Sequence, residues 1–266
     1  MSGHYPSTNG EILYKYIQER VFSTNGPSEL ERLSALQIGG RTRDHAEYFF
    51  GYACASIFSR LIKKAERTLD EGRPNPEKTV SRYIEETLEI VSLAQDRTSS
   101  RIAALAISAV ESSHRSIPGS VIKAVNGERM RQSCYICGNQ LQKGADDPTI
   151  CLEYEHIWPS SYGGDSTAEN ILPACQRCNK AKGDMILWHT AHIGAICLKP
   201  SPSPDELTRV TRPLLVAAHM KKIFLHATLN RTTLKGSALQ IGPISLERHK
   251  TPYPDDARDF FNFEYH

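Results

Sequence analysis

The chain has no long hydrophobic run. A helix that crosses a membrane needs about 20 mostly apolar residues, and the best stretch, Phe49 to Phe58, is much shorter and closes at Ser59 and Arg60. A membrane protein of helical type is therefore not expected. The opening residues Met1 to Ser7 have neither a basic segment nor an apolar one, so a secretory signal is not expected there and the location should be cytoplasmic. Residue 2 is Ser and not Gly, which removes a myristoylation signal. Neither sign of charge dominates: 32 Lys and Arg face 30 Asp and Glu, a net +2. Internal repeats and low-complexity tracts are also missing. Yet 39% hydrophobic and 23% charged residues over 266 positions exclude a wholly disordered chain and leave enough material for a sizeable core.

The charge is unevenly spread. Residues 207–250 hold eight basic groups and one acidic group, a local excess of +7. Such a block can attract phosphates, or can simply be a solvated face. The cysteines are uneven too. There are seven, at 54, 134, 137, 151, 175, 178 and 197. An odd number without a secretory signal does not read as a disulfide framework.

Most of the chain has helical periodicity. Ile12, Leu13, Tyr16, Ile17 and Val21 share one face of a helix near 10–22. A second helix can start at Ser28-Glu29-Leu30-Glu31 and stop at Gly39-Gly40. Asp44 reads as the N-cap of a third, whose stripe is Phe50, Cys54, Ile57, Phe58, Leu61 and Ala65 and which Gly72 and Pro74 end. Asn75-Pro76 starts a fourth, carrying Val80, Ile84, Leu88, Val91 and Ala94. A fifth runs from about Ser99 to Ser113. After a linking stretch at 119–133 and the cysteine region, Ser203-Pro204-Asp205-Glu206 has the form of a capping box. Leu214, Leu215, Ala218, Ile223, Leu225 and Leu229 follow, with Pro213 expected to kink or split that segment. The expected organisation is a helical domain at 1–118, a small module at 119–186, a helical region at 187–250 and an aromatic tail at 251–266.

Four cysteines form two C-x-x-C pairs, Cys134/Cys137 and Cys175/Cys178. Each pair can turn two thiolates onto one tetrahedral ion, and together they close a structural zinc site with no open position for water. One pair alone would leave a redox dithiol open; two at compatible spacing favour zinc. Between the pairs, Leu152 to Pro159 reads as a strand, Gly163-Gly164 as a loop break, and Asn170-Ile171-Leu172-Pro173 as a second strand. Asn179 to Gly183 then opens a helix. The unit is strand, loop, strand and helix with a thiolate turn at each end. Cys151 and Cys197 read as buried thiols, and Trp158 and Trp188 as packing residues. His189 and His192 read as a surface pair on a helix, with a second metal site as the alternative.

The string Cys134-x-x-Cys137, Glu155-His156-Ile157-x-Pro159, Gly163-Gly164, Asn170-Ile171-Leu172-Pro173, Cys175-x-x-Cys178-Asn179-x-x-Lys182-Gly183 resembles the HNH endonuclease superfamily in its zinc-containing branch. The resemblance implies a mainly α chain bearing a small ββα-metal (treble-clef) module. It also implies a metal-dependent endonuclease acting on nucleic acid, most simply DNA. His156, Asn170 and Asn179 match the three motif positions. His156 is then the general base, since an imidazole accepts a proton at physiological pH. The resemblance gives Asn170 the task of holding it, and gives Glu155 and Asn179 a divalent ion, Mg²⁺ or Mn²⁺. Glu153, on the same strand face as Glu155, is the alternative ligand. Lys180 and Lys182 are candidate phosphate contacts. A Glu-His pair behind a helical region also resembles, more weakly, HNH effector subunits of anti-phage systems such as Septu, which implies an ATPase partner. The competing reading is a non-catalytic zinc module that binds nucleic acid or protein.

If the basic block at Arg209, Arg212, Lys221, Lys222, Arg231 and Lys235 guides nucleic acid, affinity should fall steeply with salt. Lys221→Gln with Lys222→Gln should flatten the slope of log Kd against log salt by about 1–2. A filter-binding titration across salt concentrations reads it, and an unchanged slope assigns the block to another task.

Overall fold

The computed structural model describes residues 4–21, 42–90, 93–113, 116–127, 132–185 and 212–244. The expected helix at 28–40, the capping box at 203–206, His189, His192, Cys197, Trp188 and the aromatic tail lie outside the described residues. Within them the chain is mainly α-helical, with two short antiparallel strand pairs around the C-x-x-C cysteines. Two compact units divide it.

The first unit comprises residues 6–116 and 158–166. Its helices are α1 (Asn9–Val21), α2 (Thr42–Asp70), α3 (Pro76–Tyr83) and α4 (Asp96–Ser113). A reciprocal cap opens α1: the Glu11 amide donates to Thr8 Oγ1 at 3.2 Å, and Glu11 Oε2 accepts from the Thr8 hydroxyl and the Ser7 amide at 2.9 and 3.1 Å. Asp44 does not cap α2, because the chain is already helical at Thr42, the first described residue of that helix. Gly72, at φ +59°, follows the end of α2 as expected. Asn75 precedes Pro76 at the start of α3, but its backbone is left-handed and its side chain makes no cap bond. A π-helical turn, Ile84–Leu88, continues α3 and carries the buried Ile84 and Leu88.

α4 is the hub of this unit, packing against α1, α2 and α3. Its buried face is rich in small residues, Ala103, Ala106 and Ala109 beside Ile102 and Val110, which lets neighbouring backbones approach. The segment 158–166 uses that room. Trp158 is fully buried, with its ring 5.5 Å from Tyr14 and 5.8 Å from Phe58, and its indole donates to the Tyr162 carbonyl at 2.9 Å. The Gly10 amide donates to the Gly163 carbonyl at 2.9 Å, and Asn9 donates its amide to Asp165 at 3.1 Å. Gly163-Gly164 is thus a packing device as much as a loop break. A Cβ on Gly163 would stand 2.6 Å from Ala109 Cβ, and one on Gly164 would stand 1.9 Å from the Trp158 carbonyl oxygen.

The second unit takes residues 117–157 and 167–244 of the described chain, together with residues 4 and 5. The stretch read as a link contains α5 (Gly119–Asn126). Then come β1 (Gln132–Ser133) paired with β2 (Gln140–Leu141), and β3 (Leu152–His156) paired with β4 (Ile171–Cys175). α6 (Gln176–Lys182) follows β4 directly, so the helix begins three residues earlier than Asn179. α7 (Arg212–Asn230) and α8 (Leu234–Ile241) close the unit. Pro213 is the second described residue of α7, and the residues before Arg212, on which the expected kink or split depends, lie outside the described residues. The buried face of α7 is Val216, Met220, Ile223 and Ala227, with spacings of four, three and four. Leu225 and Leu229, expected in the stripe, are 42% and 82% exposed instead. Cys151 is half-buried and not buried.

Gly72 and Gly163 both hold positive φ, but no atom lies within 4 Å of the position of a Gly72 Cβ. Gly163→Ala should therefore cost about 1–3 kcal/mol more than Gly72→Ala, the added cost of overpacking. Urea midpoints of the two variants measure the difference.

Candidate functional site

The two C-x-x-C segments reach one point from different local structures. Cys134 follows β1 and opens a tight turn: the Cys134 amide donates to the Asn139 carbonyl at 2.9 Å, and the Gly138 amide donates to the Cys134 carbonyl at 2.8 Å. Gly138 takes φ +78°, which a residue with a Cβ rarely adopts. Cys175 ends β4, and Cys178 lies in the first turn of α6. The four Sγ atoms lie within 4.8 Å of one another, with Cys137 and Cys175 at 3.8 Å. A tetrahedral zinc with bonds of about 2.3 Å separates its sulfurs by about 3.8 Å, so the donor set fits a structural zinc. Hydrogen bonds from Cys134 and then Cys178 hold the Cys137 thiol far below its ordinary value. The same contact with Cys137 pushes Cys134 up to about 11. Neighbouring thiols that hydrogen-bond a thiolate stabilise it, and a thiolate is what binds a soft cation.

The β3–β4 hairpin carries the other expected residues. Register sets Leu152 opposite Cys175 and His156 opposite Ile171. One step beyond, the Ile157 amide donates to the Asn170 carbonyl at 2.9 Å. His156 and Asn170 are therefore brought to the same end of the hairpin, His156 half-buried and Asn170 buried. Alternation along β3 sends Glu153 and Glu155 to the face opposite that of Tyr154 and His156.

α6 lies on the Glu153 and Glu155 face. Asn179 Nδ2 donates to Glu153 Oε2 at 2.7 Å, and Gln176 Nε2 donates to Glu153 Oε1 at 3.1 Å. Lys182, one helical turn beyond Asn179, pairs with Glu155 Oε1 at 2.5 Å and donates to the His156 carbonyl at 2.9 Å. Glu155 Oε2 accepts from the Tyr135 hydroxyl at 2.6 Å. The expected roles meet a different arrangement. Lys182 is only 2% exposed and faces Glu155. The Glu155 carboxylate is 4% exposed with both oxygens engaged, and Asn179 meets Glu153. The reason is geometric: residues three apart on α6, Gln176, Asn179 and Lys182, form one face, and the face spans β3 from Glu153 to Glu155. Lys180 is exposed, as a phosphate contact requires.

Burial pushes the Glu155 carboxyl above its ordinary value, against the pull of Lys182 and Tyr135. Burial, and then the charge of Glu155, pushes the Tyr135 phenol well above its own. Tyr135 and Lys182 were missed as partners of Glu155. The C-N-x-x-K spacing could have revealed Lys182, because it sets Asn179 and Lys182 on one helical face.

Purified protein should contain about one zinc per chain, and Cys134→Ser or Cys175→Ser should lower both zinc content and melting temperature, because lost ligand energy is lost folding energy. Elemental analysis beside thermal denaturation checks this; four freely reactive thiols in the native protein would refute it.

Among the described residues no helix is long and apolar enough to cross a membrane. No curated protein and no solved structure matches the chain significantly. Residues 134–191 match the family model described as HNH endonuclease, so the likeness carried by His156, Asn170 and Asn179 extends over the whole cysteine-braced segment and supports nuclease activity on nucleic acid.

Proposed function

We propose that the chain is a metal-dependent endonuclease that hydrolyses phosphodiester bonds in DNA, with His156 as general base. The observation that carries the reading is the position of His156: last residue of β3, half-buried, beside the buried Asn170, within a segment that matches the HNH endonuclease family. A neutral imidazole at this position takes a proton from the attacking water. Asn170, held through its own carbonyl by Ile157, supports the hairpin end that carries the ring. Lys180 meets the substrate phosphates from solvent.

A divalent ion, Mg²⁺ or Mn²⁺, draws its protein oxygens in this reading from Glu153 and Asn179. Their chemistry fits: Glu153 offers a half-buried carboxylate, and the Asn179 amide, whose Nδ2 donates to that carboxylate, carries a hard oxygen donor as well. Glu155 does not fit, since it is buried and neutralised by Lys182. When bound, the ion supplies Lewis-acid stabilisation of the leaving oxygen. An anti-phage effector role with an ATPase partner is a further layer of the proposal, which co-purification reads directly.

His156→Ala should leave zinc content and melting temperature nearly unchanged, keep nucleic acid binding, and slow cleavage by about 10²-fold or more, the scale of a lost base. Glu153→Gln should raise the Mg²⁺ concentration for half-maximal cleavage, while Glu155→Gln should not. Plasmid, single-stranded DNA and RNA, each with Mg²⁺, Mn²⁺ or EDTA, are the substrates. His156→Ala cutting at the parent rate would remove His156 from the mechanism and favour the binding-module reading.

A further inference from the structure

One buried network in the second unit belongs neither to the thiol cluster nor to the Glu153–Asn179 pair. It starts in the first C-x-x-C turn, at Tyr135, whose hydroxyl donates to Glu155 Oε2 at 2.6 Å. Glu155 Oε1 meets Lys182 Nζ at 2.5 Å, and the same Nζ donates to the His156 carbonyl at 2.9 Å. The Tyr135 amide is itself tied to the Pro173 carbonyl on β4 at 3.1 Å. Tyr135, Glu155 and Lys182 are 7%, 4% and 2% exposed, so water screens none of these bonds.

Stability alone is a poor reason for such a set. Taking a carboxylate and an ammonium out of water costs about as much as their attraction returns, and an apolar trio of similar volume would often hold the fold as well. An apolar trio could not donate a hydrogen bond to a backbone carbonyl. Lys182 has three N–H donors and no acceptor, and it spends two of them where the strand that carries His156 ends. Glu155 fixes that ammonium, and Tyr135 fixes Glu155 from the thiol turn.

We infer that Tyr135, Glu155 and Lys182 are positioning residues for His156, a buried relay that fixes the end of β3 to the first cysteine turn. The relay acts through the His156 backbone and touches no substrate. Its effect on cleavage rests on the nuclease reading, but its effect on the His156 ring does not. If the ring is held by the relay, loosening it should cost turnover and leave binding intact, because catalytic geometry tolerates less displacement than phosphate contacts do.

The mildest test is Tyr135→Phe, which removes one hydroxyl; the second is Tyr135→Phe with Glu155→Leu and Lys182→Met, which removes both charges and the hydroxyl bonded to them. Protein labelled with ¹³C at histidine Cε1 gives a His156 resonance, assigned by its loss in His156→Ala. In both variants this resonance should move or broaden at unchanged zinc content. Both should lower kcat by about 10-fold or more with KM unchanged, and Tyr135→Phe should add no loss to His156→Ala. An unmoved His156 resonance with parental kcat in both variants would overturn the relay, and so would a loss in KM alone. If His156→Ala itself cuts at the parent rate, the nuclease reading fails while the resonance still decides the relay.

Discussion

Four sulfurs that must meet within 4.8 Å of each other govern the geometry of the second unit. Two come from a turn after β1, one from the last residue of β4, and one from the first turn of α6. Bringing them together sets where β4 ends and the direction in which α6 leaves it. α6 is only seven residues long, too short to persist by helix propensity alone. Its start is fixed by Cys175 and Cys178, and its inner face by contacts with β3. A module with this little regular structure needs such a cross-link, because short strands and one short helix bury too little apolar surface to offset their ordering entropy.

Once α6 is anchored, its three-residue spacing decides what each acidic group on β3 can do. Gln176 and Asn179 reach Glu153, which keeps contact with solvent. Lys182 reaches Glu155, which does not. Two like carboxylates on one strand face thus acquire opposite characters from their depth and partners. The shallow one remains available to an outside cation, and the deep one is satisfied by an internal cation. A second metal at Glu155 would have to displace Lys182 from a site that water does not enter, at the desolvation cost of the displaced ammonium.

Much of this was legible in the sequence. The two C-x-x-C pairs, the strand through His156 and the motif spacing each rest on short-range pattern, which is written in adjacent residues. The partners of Glu155 were not, because they come from three segments: Tyr135 from the first thiol turn, Glu155 from β3 and Lys182 from α6. A lysine two residues from an exposed lysine reads as surface until the helix phase is known. With α6 starting at Gln176, Lys180 and Lys182 stand about 200° apart around the axis, so one faces water and the other the core. Leu225 and Leu229 are exposed for the same reason, since they lie off the face that Val216, Met220, Ile223 and Ala227 bury. Asp44 failed because a cap residue and an acid within a helix look alike in sequence.

The segment 158–166 carries the same lesson into the first unit. Trp158-Pro159 and Gly163-Gly164 sit in the motif between His156 and Asn170, yet their immediate neighbours are Tyr14, Phe58, Gly10 and Ala109. A Cβ at either Gly163 or Gly164 meets backbone or a helix side chain well inside van der Waals contact. Gly163 is therefore constrained by the helices, through Ala109 and Gly10, and Gly164 by the loop's own backbone at Trp158 and Pro159. A module of this kind grafted elsewhere would keep its thiol cluster and its Glu155–Lys182 pair, both internal to the second unit. It would leave the indole of Trp158 without the aromatic cage that buries it, and that exposed apolar surface would have to find another cover.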